Sequence, residues 1–495
     1  MALRLYNTLS GTIEEFKPSS DNTVRFYACG PTVYDYGHIG NFRTFIAVDL
    51  LRRFLRQSGY QLMHVMNITD VDDKIIRNAS QRGLSIFDYT KKFTEAFLDD
   101  TRTLSIQEPE KIVRATDHIP EMAHMIEELA KKEIAYKTED GSWYYRIAKF
   151  PQYGKLSKKD FEGMNDGARV DVDEYEKDNA RDFALWKAPK EGEHFWDTAI
   201  GRGRPGWHIE CSAMSMKYLG ETFDLHAGGE DLVFPHHENE IAQSEGVTNK
   251  TFARSWMHVR FLLVEGQKMS KSLGNFYTLR DLVLMGHKPS SLRFLLSSVP
   301  YRKQLNFTFD GLTQAATSVE RLRNFKRRLE TTSWPEGANA DVTALAERAE
   351  AEMRAGMEDD LNTAQMLGAI FDLVRDANAM ADKGEVHRDD VKPLLEALRQ
   401  FDEIFDVLTD NDSAKIKAIV DWAKAEGLEE KITAAALEMA TAASFSDEQI
   451  EALVQKNTEA RKTKDFKKAD AIRGELLEQG VVLENTKDGV RWKRK

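Results

Sequence analysis

Residues 23–41 read TVRFYACGPTVYDYGHIGN, an apolar run followed by a Gly-Pro turn and then by the glycine-containing segment GHIG at 37–40. The apolar run predicts a short buried strand. A helix is expected over residues 41–58, because apolar side chains recur there at three- and four-residue spacing, at Phe42, Phe45, Ile46, Leu50 and Phe54. With a second strand at 62–68, this order predicts a parallel sheet with crossover helices. Ligands bind such sheets at the carboxyl ends of the strands, and both Cys29 and His38 follow the first strand.

The rest of the chain divides by composition. A chain of 495 residues is too long for one core, since domains typically hold roughly 100 to 200 residues. Aromatic short strands and an acidic stretch indicate an insertion, and the last third is rich in helix formers. The expected fold is α/β, with a Rossmann-type parallel-sheet domain at 1–112 and 204–255, a connective insertion at 113–203, a loop-bearing junction at 256–310, a helical bundle at 311–409 and a small basic C-terminal domain at 410–495.

Charge and hydropathy exclude some classes of protein. The formal net charge is -12, which argues against a protein that coats nucleic acid by bulk attraction. No apolar run approaches the roughly 18 residues of a membrane span, and residues 1–15 lack a signal-peptide core, so a cytoplasmic location is expected. Residues 456–495 differ from the rest, with twelve Lys or Arg against seven Asp or Glu. A local basic module is therefore expected at the C-terminus.

Two short motifs offer groups that bind phosphate. Gly37-His38-Ile39-Gly40-Asn41 opens the first helix, where glycine admits a nucleotide and imidazole and amide donors suit phosphate oxygens. Lys268-Met269-Ser270-Lys271-Ser272 follows a predicted strand at 261–264, and its two ammonium groups can neutralise charge that develops at an α-phosphate. Taken alone, the first motif fits a capping histidine and the second a solvated basic loop. Their occurrence together, in this order, indicates nucleotide chemistry.

A third group of residues offers donors to a metal. The chain has only two cysteines, Cys29 and Cys211. His236 and Glu240 stand four residues apart, on one face of a helix that Pro235 would open. Two thiolates, an imidazole and a carboxylate are donors that Zn²⁺ accepts in tetrahedral geometry, so we expect one zinc per chain. The alternatives are buried free thiols or a disulfide for the cysteines, and a surface ion pair for the glutamate.

In combination, the two phosphate motifs resemble those of class I aminoacyl-tRNA synthetases. The resemblance narrows to the cysteinyl-tRNA synthetases and covers essentially the whole chain, through residues 29–35 (CGPTVYD), 67–74 (NITDVDDK), 206–211 (GWHIEC), 234–240 (FPHHENE), 360–363 (DLNT) and 492–495 (WKRK). Asn41 differs from that family, because many relatives carry a second His there; both side chains can donate a hydrogen bond. Residues 227–231 (AGGED) replace a more glycine-rich loop.

This resemblance implies a reaction in two steps. The cysteine carboxylate attacks the α-phosphate of ATP, with Mg²⁺, to give cysteinyl-adenylate and pyrophosphate, and the cysteine then passes to the terminal ribose of cysteine tRNA. Zinc would distinguish cysteine from serine by its preference for a thiolate, and 10⁴-fold discrimination corresponds to about 5.5 kcal/mol. The residues implied are His38, Gly40, Asn41, Lys268 and Lys271 for ATP and catalysis, Cys29, Cys211, His236 and Glu240 for zinc, and Cys29, Gly30, Thr32 and Trp207 for the amino-acid pocket.

The same resemblance assigns tRNA to the C-terminal half. The bundle at 311–409 would bind tRNA and the domain at 410–495 would read the anticodon, in an enzyme that we expect to be a monomer. Arg461, Phe466 and Asp470 are the anticodon candidates, since aromatic stacking and phosphate contacts hold single-stranded RNA bases. A solvated, ion-paired helix is the alternative for most of these charges.

Two other functions fit parts of the sequence. A cysteine ligase that acts on a small amine would share the adenylate chemistry but would lack the helical and basic parts after residue 310. A noncatalytic zinc-dependent RNA-binding protein would leave the two loop lysines and the His38 motif without a role. Cysteine-dependent exchange of pyrophosphate into ATP separates an enzyme from this second alternative.

Overall fold

The computed structural model describes residues 3–19, 21–159, 182–441, 447–478, 480–486 and 489–494. Within these ranges a parallel sheet, an antiparallel sheet inserted into it and a long helical region follow one another along the chain. No helix in the same ranges is both long and apolar enough to cross a membrane.

The first part of the chain forms a hairpin and then alternates strands with helices. Its elements are β1 (Arg4–Asn7), β2 (Thr12–Glu15), β3 (Thr23–Ala28), α1 (Ile39–Gln57), β4 (Gln61–Ile68), α2 (Asp73–Gln81), α3 (Ile86–Thr103), β5 (Lys111–Arg114) and α4 (Ile119–Lys131). α1 begins two residues before its predicted start, because His38 and Asn41 cap it reciprocally. β5 pairs with β4 along its whole length, so the parallel sheet continues past the expected division at residue 112.

The insertion forms an antiparallel sheet of its own. Its strands are β6 (Ala135–Lys137), β7 (Trp143–Tyr145), β8 (Phe183–Lys187), β9 (Trp196–Thr198) and β10 (Gly201–Pro205), in the spatial order β6-β7-β8-β10-β9. Aromatic side chains fill its core, where the rings of Tyr145 and Phe183 stack with centroids 4.8 Å apart. The aromatic spacing in the sequence therefore reflects packing within this sheet.

The chain then returns to complete the parallel sheet. The next elements are α5 (Trp207–Leu219), β11 (Phe223–Gly229), α6 (Glu238–Thr248) and β12 (Ala253–Val259). The strand order becomes β12-β11-β3-β4-β5, and every neighbouring pair is parallel. Helices cover both faces of such a sheet, which is why its strands are apolar and fully buried at Phe26, Val65 and Leu225. The predicted Rossmann-type sheet is confirmed.

A short three-stranded sheet carries the lysine-rich loop. It consists of β13 (Leu263–Val264), β14 (Gln267–Lys268) and β15 (Asn306–Phe307), in the order β14-β13-β15, and α7 (Leu279–Leu284) and α8 (Pro289–Ser297) lie between β14 and β15 in the chain. Only the last two residues of the strand expected at 261–264 are extended in a ladder. The loop itself spans residues 269–278, between β14 and α7.

The last third of the chain is helical, as expected. It contains α9 (Phe309–Thr331), α10 (Ala340–Glu358), α11 (Thr363–Asp382), α12 (Val391–Phe405), α13 (Asp412–Ala425) and α14 (Ala434–Thr441). Buried charges join it to the parallel sheet and its helices. Asp49 of α1 is ion-paired with Arg53 at 2.8 Å and with Arg293 of α8 at 2.6 Å, and Arg293 also donates to backbone carbonyls at the end of α12. Removing one partner of such a buried pair typically costs about 3–5 kcal/mol, because the other charge is then left buried without a partner.

Asp360, in the turn between α10 and α11, makes a second contact between the helical region and the rest of the chain. Its carboxylate accepts hydrogen bonds from the backbone of Tyr6 at 2.8 Å, the hydroxyl of Tyr301 at 2.6 Å and Nε of Arg302 at 2.6 Å. Asp360 and Leu361 both have positive φ, 59° and 53°, a conformation that these contacts hold in place. The 360–363 motif therefore fastens the bundle to β1 and to the junction.

The C-terminal domain has a separate small core. Its elements are α15 (Asp447–Lys462), α16 (Phe466–Glu478), β16 (Val481–Thr486) and β17 (Gly489–Arg494), and its buried apolar residues are Ile450, Ile472, Leu476, Val481 and Leu483. The guanidinium of Arg327, in α9, lies 5.2 Å from the ring centroid of Trp492 and donates to its carbonyl. The domain thus contacts the bundle through its terminal hairpin.

Candidate functional site

The four residues expected to bind metal converge at the carboxyl edge of the parallel sheet. Cys29 follows β3, Cys211 lies in α5, and Glu240 lies in the first turn of α6, just after His236 in the turn Val233–His237. One donor atom of each lies within 4.8 Å of the others, and all four side chains are buried. The two Sγ atoms are 3.9 Å apart, far beyond the roughly 2.05 Å of a disulfide. Nε2 of His236 lies 3.1 Å from Oε1 of Glu240.

The backbone around Cys29 is held on both sides. Its N–H donates to the carbonyl of Ala227 at 3.1 Å, which extends the pairing of β3 with β11. The N–H of Gly30 donates to Oδ1 of Asn67 at 2.8 Å. A Cβ at Gly30 would lie 1.7 Å from the carbonyl oxygen of Asn67, so only glycine fits this turn.

Charge is unevenly distributed among the four donors. Burial raises the pKa of Glu240, but the imidazoles of His226 and His236 outweigh it and lower the pKa to about 2. Burial also raises the pKa of Cys211, and its contacts with Cys29 and His236 reverse this and lower the pKa to about 6. Burial lowers the pKa of His236, but Glu240 and Cys211 outweigh it and raise the pKa to about 10. Near neutral pH the group therefore holds a carboxylate, a thiolate and an imidazolium, and a bound cation would take the place of the imidazolium proton.

Three further histidines that were not predicted as site residues surround the donors: His208, His226 and His237. Nε2 of His226 lies 2.8 Å from Oε2 of Glu240, and Nδ1 of His208 lies 2.9 Å from Nδ1 of His236. Contacts of this kind orient metal ligands. The sequence position of His226 could have indicated this role, because His226 lies in a strand that ends at the ligand-binding edge of the sheet.

His237 makes a second donor group possible. Cys29, His226, His237 and Glu240 also place donor atoms within 4.8 Å of one another. Nε2 of His237 is 3.3 Å from Sγ of Cys29, while its Nδ1 is 2.8 Å from Nε2 of His258. The two groups share Cys29 and Glu240, and they differ in whether Cys211 and His236 or His226 and His237 complete the set.

The residues expected to form the amino-acid pocket border this cluster. The ring of Trp207, which is 37% exposed, lies with its centroid 4.2 Å from that of His236. Gly30 and Thr32 lie in the turn directly after Cys29, and a backbone bridge pairs Thr32 with Thr69. The structure thus brings the indole and the turn to the same donor cluster.

The phosphate motif at the start of α1 forms a reciprocal cap. Nδ1 of His38 accepts from the backbone N–H of Asn41 at 3.2 Å, and Oδ1 of Asn41 accepts from the backbone N–H of His38 at 3.1 Å. Burial, followed by the charge of Lys271, lowers the pKa of His38 to about 4. At neutral pH the ring is therefore uncharged with its proton on Nε2, because Nδ1 accepts. Nε2–H of His38 and the amide nitrogen of Asn41 remain as donors for a phosphate.

The lysine-rich loop packs directly against that cap, although the two motifs are about 230 residues apart in sequence. The backbone N–H of Ile39 donates to the carbonyl of Tyr277 at 3.1 Å, and Phe276 lies edge-on to the ring of His38 at 5.1 Å. Nζ of Lys271 is 2.7 Å from Oδ2 of Asp35. Lys268 is exposed at the end of β14. The two motifs expected to act together are therefore in contact.

The anticodon candidates lie together on the C-terminal domain. Phe466, the first residue of α16, is 61% exposed, and Asp470 is exposed one turn further along. Arg461 is near the end of α15, before the turn that joins the two helices. An exposed aromatic ring at a basic turn is accessible to a base, and its role in reading the anticodon stays a prediction.

Comparisons with known proteins give the same class of protein by independent routes. Residues 15–317 match the family described as tRNA synthetases class I (C) catalytic domain, and residues 352–409 match the DALR domain. The chain is 70% identical to a cysteine–tRNA ligase of Koribacter versatilis (strain Ellin345) over 495 residues, which is 100% of both chains. It is 58% identical to a cysteine–tRNA ligase of Solibacter usitatus (strain Ellin6076), again over 100% of both.

A solved structure shares the fold at low identity. Methionyl-tRNA synthetase of Mycobacterium tuberculosis, solved with methionyl-adenylate, superposes with a TM-score of 0.59 at 14% identity. The match covers 80% of this chain and 93% of that one. This likeness concerns the architecture alone.

Proposed function

This chain belongs to the cysteine–tRNA ligases, class I aminoacyl-tRNA synthetases, and on that premise we propose how its residues carry out the reaction. The enzyme activates cysteine with ATP and joins it to cysteine tRNA. Its full-length agreement with such ligases, and its DALR domain, leave no support for a small-amine ligase or a noncatalytic protein. The expected monomeric state and cytoplasmic location stay predictions, the first of them open to sedimentation analysis.

Zinc ligation by Cys29, Cys211, His236 and Glu240 is the first part of the proposal. Tetrahedral bonds of about 2.3 Å to sulfur and 2.05 Å to nitrogen or oxygen separate two sulfurs by about 3.8 Å and a nitrogen–oxygen pair by about 3.3 Å. The corresponding distances here are 3.9 Å and 3.1 Å, so the donors suit the ion. We prefer this group to the one containing His237, because it uses both thiols and leaves imidazoles to orient the ligands. A bound zinc would accept the substrate sulfur as a thiolate and disfavour a hydroxyl.

ATP would bind between the cap of α1 and the lysine-rich loop. Nε2–H of His38 and the amide of Asn41 donate to phosphate oxygens at the positive end of the helix. Lys268 and Lys271 add charge on the opposite side, where it offsets the negative charge that builds up as the cysteine carboxylate attacks the α-phosphate in line. Trp207 holds the substrate side chain at the donor cluster.

The observation that carries the proposal is the meeting of all four donors beside an exposed indole at the carboxyl edge of the sheet. Metal analysis should find about one zinc per wild-type chain, and the Cys211→Ser variant should lose zinc together with the preference for cysteine over serine in pyrophosphate exchange. Ser215→Ala, on the same helix, is the control, since that hydroxyl contacts only a backbone carbonyl. A zinc-stripped enzyme that keeps the same preference for cysteine would refute the assignment.

A further inference from the structure

One tyrosine of the parallel sheet lies beneath the donor cluster. Tyr27, in β3, is completely buried, and its register partner in β11 is His226. The two rings meet edge to face, with their centroids 5.2 Å apart. The pairing of β3 with β11 continues to Cys29, two residues further along, so the side chains of Tyr27 and Cys29 leave the same face of the sheet. The tyrosine therefore lies on the side of the sheet that carries the metal donors.

The hydroxyl of Tyr27 is not explained by the packing of its ring. It is buried, and it makes no hydrogen bond of normal geometry in the part of the chain that the structure describes. Burying a hydroxyl without a partner is unfavourable, so such a group in a folded protein requires a reason. A phenyl ring would fill the same space beside His226 without that cost. The hydroxyl therefore has a function other than apolar packing.

The groups close to this hydroxyl are the two thiols. Burial raises the pKa of Tyr27 well above its usual range, and the negative charges of Cys211 and Cys29 raise it further. The phenol therefore keeps its proton near neutral pH and stays a donor. Sγ of Cys29 already has Nε2 of His237 at 3.3 Å. Cys211 is then the sulfur that can accept from Tyr27.

A donor beside this sulfur offsets charge. The proposed zinc ligands include two thiolates and one carboxylate, three negative charges against the two positive charges of the ion. The substrate would add a fourth negative charge when its sulfur binds as a thiolate. All four ligands are buried, so water screens this excess only weakly. Groups that hydrogen-bond to metal ligands typically change metal affinity or activity about 10–100-fold.

We propose that the hydroxyl of Tyr27 donates a hydrogen bond to Sγ of Cys211 in the zinc-loaded enzyme, and that this bond favours binding of the substrate as a thiolate. Tyr27 is a positioning residue, because it acts through Cys211. The effect is specific to cysteine, since the hydroxyl of serine brings no additional negative charge. The inference rests on the proposed function, because it requires zinc on Cys211.

The test is Tyr27→Phe, which removes the hydroxyl and keeps the ring. The KM for cysteine in pyrophosphate exchange should rise about tenfold, with kcat and the KM for ATP within about twofold of wild type. The preference for cysteine over serine should fall by the same factor. Tyr144→Phe is the matched control, because it removes the hydroxyl of another completely buried tyrosine, on β7, and it should change none of these values.

Cobalt substitution gives a measurement that does not depend on activity. Co²⁺ accepts similar nitrogen and sulfur donors, and its thiolate-to-metal charge-transfer absorption reports the electron density on sulfur. This band should move to longer wavelength in Tyr27→Phe, because a sulfur that loses a hydrogen bond gives up electrons more readily. The affinity for zinc, measured by competition with a chelator, should fall about tenfold. Tyr144→Phe should keep the wild-type band and affinity.

The outcomes separate this inference from the function on which it rests. Wild-type enzyme that binds neither zinc nor cobalt would overturn the proposed zinc site itself. Metal binding with an unmoved band and an unchanged KM for cysteine in Tyr27→Phe would overturn only the role of Tyr27. So would a metal-free Tyr27→Phe that unfolds at a clearly lower temperature than metal-free wild type, since the hydroxyl would then stabilise the fold through another partner.

Discussion

Replacing Lys271 by Ala should slow adenylate formation and leave stability almost unchanged. Its Nζ is 2.7 Å from Oδ2 of Asp35, but the two side chains are 67% and 39% exposed. Such exposed pairs contribute about 0–1 kcal/mol, so the Tm should fall by no more than about 4 °C. Loss of one positioned charge at a reacting phosphate typically costs about 10²–10³ in rate, or about 2.7–4 kcal/mol. The two effects differ enough in size to be separated.

The same contact predicts that a substitution at Asp35 improves ATP binding. Its carboxylate raises the pKa of Lys271, chiefly by accepting a hydrogen bond, so this lysine is fully charged at neutral pH with or without its partner. The ammonium must leave Asp35 to meet the triphosphate. Asp35→Asn removes that competition. Because an exposed ion pair contributes up to about 1 kcal/mol, the KM for ATP should fall by up to about fivefold, while kcat stays nearly constant.

Cysteine-dependent pyrophosphate exchange, measured across ATP concentrations beside thermal unfolding, checks both variants. Lys271→Arg is the matched control, because it keeps the charge and should retain more activity than Lys271→Ala. Exchange at the wild-type rate in Lys271→Ala would contradict a role for this lysine at the phosphate. A loss of stability as steep as the loss of activity would also contradict it, since the lysine would then be structural.

Three other changes test two sets of tertiary contacts and the independence of the C-terminal domain. Asp360→Ala should lower the free energy of unfolding by about 3 kcal/mol in urea titrations, because three donors lose their shared buried acceptor; a loss under about 0.5 kcal/mol would contradict this. Burial raises the pKa of Glu110, but contact with Arg52 and the backbone of His64 lowers it to about 2, so its contribution is complete above about pH 4.5 and is lost as pH falls toward 2. Arg52→Gln should move acid unfolding to higher pH, and an unmoved midpoint would argue against the pair. Deleting residues 446–495 should impair tRNA charging and spare adenylate formation, since that domain has its own core; equal loss of both would show that it supports the catalytic part.

Local patterns predicted most of the fold, and their errors have identifiable causes. The helix predicted at 41–58 and the observed α1 differ by two residues at the start, because a reciprocal cap moved the boundary. Only half of the strand predicted at 261–264 forms, because pairing partners exist only for its last two residues. Apolar periodicity indicates which side chains are buried, but a strand needs a neighbour to pair with, which a local pattern does not supply.

The sequence alone determined the class of the fold, and it predicted the two phosphate motifs and the four candidate metal donors, since these predictions depend on residue type and on short motifs. The tertiary structure decided which of these residues meet. Strand β11, which lies between β12 and β3, places His226 against Glu240, and the packing of the loop on α1 pairs Lys271 with Asp35. It also sets Phe87 against the insertion. These contacts join residues from 14 to 236 positions apart, and only the crossing of strands and helices brings such residues together.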